Sequence, residues 1–274
     1  MSNREIIDFR EHYATSGEAN RLTSGHGLLE RIRTQDILAR FLPPAPARVL
    51  DIGGGPGVYS LWLLERGYQV ELLDAVPLHV EQARNAFARA GYIDALATVG
   101  DARVLPYGDA SAQAVLLLGP LYHLTSRDDR LGALREARRV LQPGGILAAA
   151  TISRFASLLD GYWRNLVADP DFKAILEQDL RDGQHRNPMN NPDYFTTAYL
   201  QQPAEHREEV VSAGFEVTAM IAVEGPFWLL PDFAKHWSDL ERRAEVLRHL
   251  KMIETEESLL GSSAHLLTIA RNHR

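Results

Sequence analysis

Three acidic residues follow successive apolar segments of the chain, and a glycine-rich loop accompanies the first. Asp51 lies in Val49-Leu50-Asp51-Ile52 ahead of Gly53-Gly54-Gly55-Pro56-Gly57, Asp74 ends Val70-Glu71-Leu72-Leu73, and Asp101 follows Gly100. Because glycine has no Cβ, such a loop turns sharply and brings its backbone close to a ligand. A helix that starts behind the loop adds free N–H groups and the positive end of a dipole. The pattern predicts a nucleotide-type ligand held at the ends of strands.

Two ligand classes use such a loop, the dinucleotides and S-adenosylmethionine, and Asp51 distinguishes them. A pyrophosphate beside this carboxylate is electrostatically unfavourable, whereas the ammonium and sulfonium groups of S-adenosylmethionine are attracted to it. Asp74 can accept from ribose hydroxyls in either class. Asp101 can accept from an adenine amino group, and the Ala102 N–H can serve the ring. S-adenosylmethionine is therefore favoured, and an NAD-dependent oxidoreductase is the alternative.

The elements that must position these residues alternate along the chain. Short apolar runs predict strands at 48–52, 69–73, 95–99, 114–118 and 146–151, with helices at 58–66, 77–90 and 127–141 between them. Strands that alternate with helices indicate right-handed βαβ units and a buried parallel sheet. After an aromatic-rich insertion, a helix at 203–213, a strand at 215–223, a helical insertion at 231–260 and a strand at 264–270 are predicted.

Four motifs in this order resemble the class I S-adenosylmethionine-dependent methyltransferases, and the run at 119–124 resembles a bacterial subgroup of them that acts on small molecules. They are residues 50–57, Asp74, Gly100-Asp101-Ala102 and Arg139-Val140-Leu141-Gln142-Pro143-Gly144-Gly145. The resemblance implies an α/β, Rossmann-like, seven-stranded mixed sheet with helices on both faces and the last strand antiparallel. It also implies one domain over 1–274, comprising a helical N-terminal segment (1–44), a cofactor-binding core (45–152), a substrate lid (153–202) and a C-terminal part with a helical insertion (203–274).

The same resemblance assigns cofactor contacts. Gly53 and Gly55 would pass under the methionine part, Asp51 would orient its amino group, Asp74 would hold the ribose and Asp101 the adenine. Further expected cofactor-binding residues are Ala75, Ala102, Leu118 and Arg21, the last through the cofactor carboxylate. Each acid could instead only cap a helix or close a turn.

Methyl transfer from a sulfonium is an in-line displacement, so positioning supplies much of the rate, and a base is needed only for a protonated nucleophile. His123, in Gly119-Pro120-Leu121-Tyr122-His123-Leu124 after the fourth strand, is the expected base or orienting group; the alternative is that it caps the following helix or bonds to nearby backbone. Tyr122 is its neighbouring candidate, and Tyr13 could close the site over the sulfonium. Expected acceptor-binding residues are Arg154, Arg186, Phe195, Trp228 and His265.

Composition limits the remaining classes. The chain has 274 residues, no cysteine and a net charge of −7, so neither thiolate chemistry nor a basic surface for nucleic acid or anionic membranes is expected. No metal site is predicted, because the fourth strand lacks the acid cluster of a magnesium-dependent enzyme. Without a signal-like or membrane-spanning segment, a cytoplasmic protein with a small-molecule acceptor is expected. A homodimer and a non-catalytic, methyltransferase-like scaffold are left open.

Overall fold

The computed structural model describes residue 13, residues 21–189 and residues 191–273. Its main sheet has seven strands in the order β3-β2-β1-β4-β5-β9-β8. The first five strands are parallel, and β9 lies antiparallel between β5 and β8. This confirms the predicted α/β, Rossmann-like mixed sheet and its antiparallel last strand. Among the described residues, no helix combines the length and the apolar character needed to cross a membrane.

The strands and helices alternate as the sequence predicts, with small shifts at their ends. The strands are β1 (Arg48–Ile52), β2 (Gln69–Asp74), β3 (Leu96–Val99), β4 (Ala112–Leu117), β5 (Leu141–Ile152), β6 (Gln184–His185), β7 (Ala198–Tyr199), β8 (Phe215–Ala222) and β9 (His265–Asn272). The helices are α1 (Gly25–Phe41), α2 (Val58–Leu64), α3 (Pro77–Arg89), α4 (Pro120–His123), α5 (Arg127–Val140), α6 (Ala156–Trp163), α7 (Pro170–Asp182), α8 (Pro203–Ser212), α9 (Phe233–Ser238), α10 (Leu240–Ile253) and α11 (Glu257–Leu260). The largest shift is at β5, which begins at Leu141 because Leu141 already pairs with Ala112 ahead of the Pro143-Gly144 turn.

The central strands are apolar on both faces because helices cover both sides of the sheet. Leu50 and Ile52 of β1 belong to one buried cluster with residues of α5, while Val49 belongs to a second cluster with residues of α1 and α2. This alternation is the two-residue period of a strand. The predicted N-terminal helical segment is described over α1, and its earlier part (1–12 and 14–20) lies outside the described residues.

The carboxyl ends of the parallel strands bring the predicted acids to one edge of the sheet. Asp51 of β1 pairs in register with Leu72 of β2, and Asp74 at the end of β2 pairs with Val99 of β3. Chain order reverses between β1 and β4, which is where doubly wound sheets form ligand-binding crevices. The insertion at 153–202 folds as α6, a 3-10 turn, α7 and the small antiparallel β6–β7 sheet.

Candidate functional site

The loop after β1 leaves room for a ligand because of its glycines. Gly53 and Gly55 have positive φ values of 72° and 56°, which strain any residue with a Cβ. A Cβ on Gly53 would lie 2.6 Å from Cδ of Pro120, while a Cβ on Gly55 would meet nothing within 4 Å and would project into open space. The two glycines therefore allow the turn against α4 and a cradle beneath a ligand.

Asp74 ties the glycine loop to the start of α3. Its Oδ2 accepts from the Gly55 N–H at 2.8 Å, and its Oδ1 accepts from the Val76 N–H at 2.8 Å. Nδ1 of His79, in the first turn of α3, lies 3.3 Å from Oδ1. Nε2 of His79 is buried and has no hydrogen-bond partner among the described residues. Carboxylate and imidazole together form a polar wall suited to hydroxyl groups.

Asp51 is buried beside the same loop. The Ser60 hydroxyl donates to its Oδ2 at 2.6 Å, whereas its Oδ1 has no partner among the described residues. Burial raises the pKa of Asp51 to about 6; the Ser60 hydrogen bond opposes this rise and the Asp74 carboxylate adds to it. An unpartnered buried carboxylate oxygen calls for a positively charged or donating ligand group, so Asp51 fits an ammonium and does not fit a pyrophosphate.

Asp101 lies in the turn after β3 and is held by Arg103. The Arg103 backbone N–H donates to Oδ1 at 2.9 Å and the guanidinium contacts both carboxylate oxygens. The same guanidinium donates to Asp129 at 3.0 Å, which fixes it to α5. About half of the Asp101 side chain remains exposed, so it can still accept a ligand hydrogen bond.

These residues line a first hollow, the glycine-loop cavity. Its walls are Tyr13, Gly53, Gly55, Leu73, Asp74, Ala75, His79, Gly100, Asp101, Ala102, Arg103, Gly119, Pro120, Tyr122, His123 and Leu124. A second hollow, the Asp51 cleft, shares Gly53 and Gly55 with this cavity. Its lining also includes Asp51, Leu118 and Arg21. Every predicted cofactor-binding residue therefore lines one of these two hollows.

The predicted catalytic residues meet at the end of β4. The Tyr13 hydroxyl lies 3.1 Å from Nε2 of His123, and Nδ1 of His123 lies 3.3 Å from the backbone carbonyl of Thr197 in the lid. Tyr122 packs on the same imidazole with ring centroids 4.6 Å apart. His123 is buried, as is Tyr13. One ring nitrogen of His123 thus faces a backbone carbonyl and the other faces a tyrosine hydroxyl, and its role as base or orienting group stays a prediction.

A larger hollow, the lid cavity, lies under the insertion and has a volume of about 560 Å³. It is lined by Tyr13, Arg21, Tyr122, Ile152, Ala156, Ser157, Asp160, Arg164, Phe172, His185, Pro192, Asp193, Tyr194, Phe195, Leu200, Trp228, Ala264 and His265. Its charged side chains are paired with one another or with neighbours, as Arg164 is with Asp160 and His185 with Asp179. The remaining wall is mainly aromatic and aliphatic, the lining typical of a small-molecule site.

Arg21 and His265 line both the lid cavity and the Asp51 cleft, and each is paired with a carboxylate. Arg21 contacts both carboxylate oxygens of Glu30, and Nδ1 of His265 lies 2.6 Å from Glu224. Burial disfavours the imidazolium, yet the Glu30 and Glu224 carboxylates outweigh it and raise the pKa of His265 to about 9. The two cations thus balance the two carboxylates. Glu30, Glu224 and His265 offer ligand atoms within 4.8 Å of one another.

Two predicted acceptor-binding residues do not line the lid cavity. Arg154 is buried, donates to the Leu200 carbonyl at 2.7 Å and pairs with Glu205 at 2.8 Å. Arg186 donates to the backbone carbonyls of its neighbours in the β6–β7 sheet. Phe195, Trp228 and His265 do line it. Sequence reasoning missed His79, whose position in the first turn after Asp74 was the available signal.

Comparison with known proteins indicates the family of this chain. Residues 49–145 match the family described as a methyltransferase domain. An uncharacterized methyltransferase of Mycobacterium bovis is 33% identical over 162 residues, which cover 59% of this chain and 58% of that protein, so the chain spans somewhat more than half of that relative's length. A malonyl-[acyl-carrier protein] O-methyltransferase of Enterobacter lignolyticus is 30% identical over 177 residues, covering 64% of this chain and 67% of that protein.

A solved structure supports the fold. The S-adenosylmethionine-dependent methyltransferase from Methanosarcina mazei has a TM-score of 0.58 at 20% identity, covering 86% of this chain and 96% of that chain. The sequence matches span the glycine loop and the acids at the strand ends, and Asp51 has the free oxygen that an amino acid ammonium requires. The chain therefore belongs to the class I S-adenosylmethionine-dependent methyltransferases, and S-adenosylmethionine is its cofactor.

Proposed function

We propose that this protein transfers a methyl group from S-adenosylmethionine to a hydroxyl group on a small aromatic acceptor. One observation carries the proposal: Tyr13 and Tyr122 line both the glycine-loop cavity and the lid cavity. A nucleophile in the aromatic lid cavity can thus reach a methyl group in the glycine-loop cavity. Shared walls would let donor and acceptor approach each other, and their alignment is the main requirement of the reaction.

The proposed cofactor contacts follow from the polar groups that line the two hollows at the strand ends. Asp51 would bind the ammonium group through Oδ1, Asp74 and His79 the ribose hydroxyls, and Asp101 with the Ala102 N–H the adenine. Ala75 would line the ribose end of the cavity. Leu118 and Arg21 would flank the methionine part in the Asp51 cleft. When bound, the cofactor supplies a methyl group already activated by its positive sulfur.

The division of the chain follows the same geometry. The core at 45–152 would hold the cofactor, and the insertion at 153–202 would form the acceptor lid, with 1–44 and 203–274 completing a single domain. Phe195, Trp228 and His265 would contact the acceptor. Arg154 and Arg186 would hold the lid in place, because their guanidinium groups bind backbone carbonyls and Glu205 or Gln184.

The character of the lid cavity selects the acceptor class. The Enterobacter relative is named for O-methyl transfer to malonyl-[acyl-carrier protein]. Transfer to oxygen suits this chain, because His123 and Tyr13 offer a route for the hydroxyl proton. A malonyl group suits it less well, since the arginines and histidines that line the cavity are already paired with carboxylates. Aromatic walls around about 560 Å³ favour a planar acceptor of one or two rings.

Calorimetric titration with S-adenosylhomocysteine and with NADH tests the cofactor. Binding of the homocysteine compound without binding of NADH is the expected result, and the reverse would overturn the proposal.

The acceptor is tested by the release of S-adenosylhomocysteine with phenol, 2-naphthol, indole, aniline, benzoate and malonyl-[acyl-carrier protein]. Transfer to the phenols above the other acceptors is expected. Cofactor binding with no transfer to any of them would favour the scaffold alternative.

A further inference from the structure

We infer that Tyr13 receives the proton of the acceptor hydroxyl and passes its own proton to His123, so that the two side chains form a proton relay between the lid cavity and the glycine-loop cavity. The inference rests on the proposed function. It assigns the contact with the acceptor to the tyrosine and makes the histidine the terminal proton acceptor.

Tyr13 and His123 differ in the cavities that they line. Tyr13 lines both hollows, whereas His123 lines the glycine-loop cavity and is absent from the lining of the lid cavity. An acceptor under the lid therefore meets the Tyr13 side chain before it meets His123. Direct proton abstraction by His123 would require the acceptor to pass the tyrosine ring.

Hydrogen bonding orients the imidazole for this role. Nδ1 of His123 lies 3.3 Å from the Thr197 carbonyl, which can only accept, so Nδ1 carries the hydrogen of the neutral ring. Nε2 then presents its lone pair, and the Tyr13 hydroxyl, 3.1 Å away, donates to it. The hydrogen bond through the backbone of the lid thus fixes the tautomer that can receive a proton from Tyr13.

Packing holds both partners in position. The Tyr13 ring lies edge-on to His123 at 5.4 Å and to His79 at 5.3 Å. Tyr122 and Phe195 contact other sides of the His123 ring, with centroids 4.6 and 5.9 Å away. Both Tyr13 and His123 are less than a tenth exposed. Bulk water is therefore a poor competitor for the proton.

The transfer balances as a single displacement. The acceptor oxygen attacks the methyl carbon, a C–O bond forms, and the C–S bond breaks with its electron pair remaining on the sulfur of S-adenosylhomocysteine. The acceptor proton moves to the Tyr13 oxygen while the Tyr13 proton moves to Nε2 of His123. The imidazolium that results loses its proton to water after the products leave, which restores the starting state.

The first test examines the hydrogen-bond chain without an acceptor. Histidine ¹⁵N NMR is recorded on the full chain saturated with S-adenosylhomocysteine, and His123→Gln identifies the His123 signals. The expected spectrum shows Nδ1 protonated and Nε2 unprotonated, and Tyr13→Phe should change mainly the Nε2 shift. A ring protonated on Nε2 would overturn the relay, because such a nitrogen cannot receive the proton of Tyr13.

The second test compares a phenol that still carries its proton with one that is already ionised, each measured against the wild type on the same acceptor. With 2-naphthol, Tyr13→Phe and His123→Gln should each lower kcat at least about tenfold, and the double variant should be no slower than the slower single variant. With 4-nitrophenol at a pH where it is ionised, the loss should shrink to less than about threefold, since no proton needs to be removed. Tyr162→Phe, an exposed position on α6 outside the cavity lining, is the matched control.

The outcomes separate the relay from the function on which it rests. A Tyr13→Phe variant as fast as the wild type, with His123→Gln impaired, would make His123 a direct base and overturn the relay. Equal losses with both phenols would make Tyr13 only a wall of the site, which also overturns it. If no phenol is methylated, the proposed acceptor class fails, and the NMR tautomer still decides the hydrogen-bond chain.

Discussion

The glycine-loop cavity and the lid cavity meet at two tyrosines but are built in different ways. In the first, many of the polar groups belong to residues within a few positions of strand ends, such as Gly55, Asp74 and Asp101. In the second, the walls come from distant parts of the chain, such as Phe195 in the lid and Trp228 after β8. Its charged residues are largely neutralised by partners.

This difference teaches how each cavity selects its ligand. The glycine-loop cavity has directed acceptors with unused capacity, so it recognises a ligand through hydrogen bonds and charge. The lid cavity offers mainly apolar surface, so it recognises a ligand through shape and buried area. Substitutions should therefore change the affinity for one ligand and leave the other unchanged, and four variants test this separation.

The largest effect is expected for Asp74→Ala. Its carboxylate accepts from the Gly55 and Val76 N–H groups at 2.8 Å each and would also hold the ribose. Hydrogen bonds to charged groups contribute about 1.5–3 kcal/mol each, so the Kd for S-adenosylhomocysteine should rise about a hundredfold in calorimetry. Asp94→Ala, at an exposed position outside the cavity, is the control. An unchanged Kd in a folded Asp74→Ala variant would contradict the assigned site.

A smaller effect is expected for Asp51→Asn, about tenfold in the same Kd, because an amide cannot neutralise the ammonium group. The wild-type affinity should also fall as the pH drops below about 6, where the buried Asp51 carboxylate becomes protonated. In Asp51→Asn this loss should be absent. Parallel pH profiles for the two proteins would show that Asp51 does not contact the cofactor.

The buried Asp51 carboxylate lowers the free energy of unfolding near neutral pH. The pKa of Asp51 is raised from 3.8 to about 6 in the folded protein, chiefly by burial. Between these values the folded chain binds a proton that the unfolded chain has lost, so the free energy of unfolding decreases as the pH rises through this window and stays lower above it. Asp51→Asn should then stabilise the ligand-free protein near pH 7 by up to ~3 kcal/mol, measured by denaturant unfolding.

The features around the glycine-loop cavity could be predicted from the sequence more fully than those around the lid cavity. The order of β1 to β5 along the chain and the positions of their acids were predictable, because each depends on local periodicity and on residues next to a strand end. The antiparallel last strand was expected only from the resemblance to the methyltransferase family. Glycines at 53 and 55 required positive φ, and the structure has it. Such features are set within a few residues of each other.

The side-chain contacts of the lid could not be predicted from the sequence, because they join residues that are far apart along the chain. Arg154 was expected to bind the acceptor, but its guanidinium contacts the Leu200 carbonyl and Glu205 across the base of the lid. Nothing in the spacing of these residues indicates that pairing. The Glu30–His265–Glu224 cluster likewise joins α1, β9 and the turn after β8. His79 was within reach of sequence reasoning, since it is five residues after Asp74.

A third variant, His79→Asn, should raise the Kd for S-adenosylhomocysteine about fivefold. Nε2 of His79 is buried without a partner among the described residues, and a neutral hydrogen bond contributes about 0.5–1.5 kcal/mol. The loss should be of similar size with 5′-methylthioadenosine, which keeps the ribose and lacks the amino acid end. His249→Asn, at an exposed position on α10, is the matched control. A loss seen only with the homocysteine compound would remove His79 from the ribose site.

The smallest effect is expected for a substitution in the lid cavity, Phe195→Leu. Phe195→Leu keeps an apolar side chain but removes the ring that packs near His123 and Tyr122, with centroids 5.9 and 6.4 Å away. The loss of part of this apolar surface should weaken 2-naphthol binding about threefold in a fluorescence titration. The Kd for S-adenosylhomocysteine should stay constant, because Phe195 does not line the glycine-loop cavity.

Phe155→Leu is the control for this variant, since Phe155 follows β5 yet is absent from the lining of the lid cavity. It should leave both ligands unaffected. If Phe195→Leu weakened S-adenosylhomocysteine as much as 2-naphthol, the two cavities would act as one site whose halves share their walls. The glycine-loop cavity would then not select its ligand by polar groups independently of the lid cavity, which selects by shape. An apolar substitution in the lid cavity would have changed the affinity for the cofactor product.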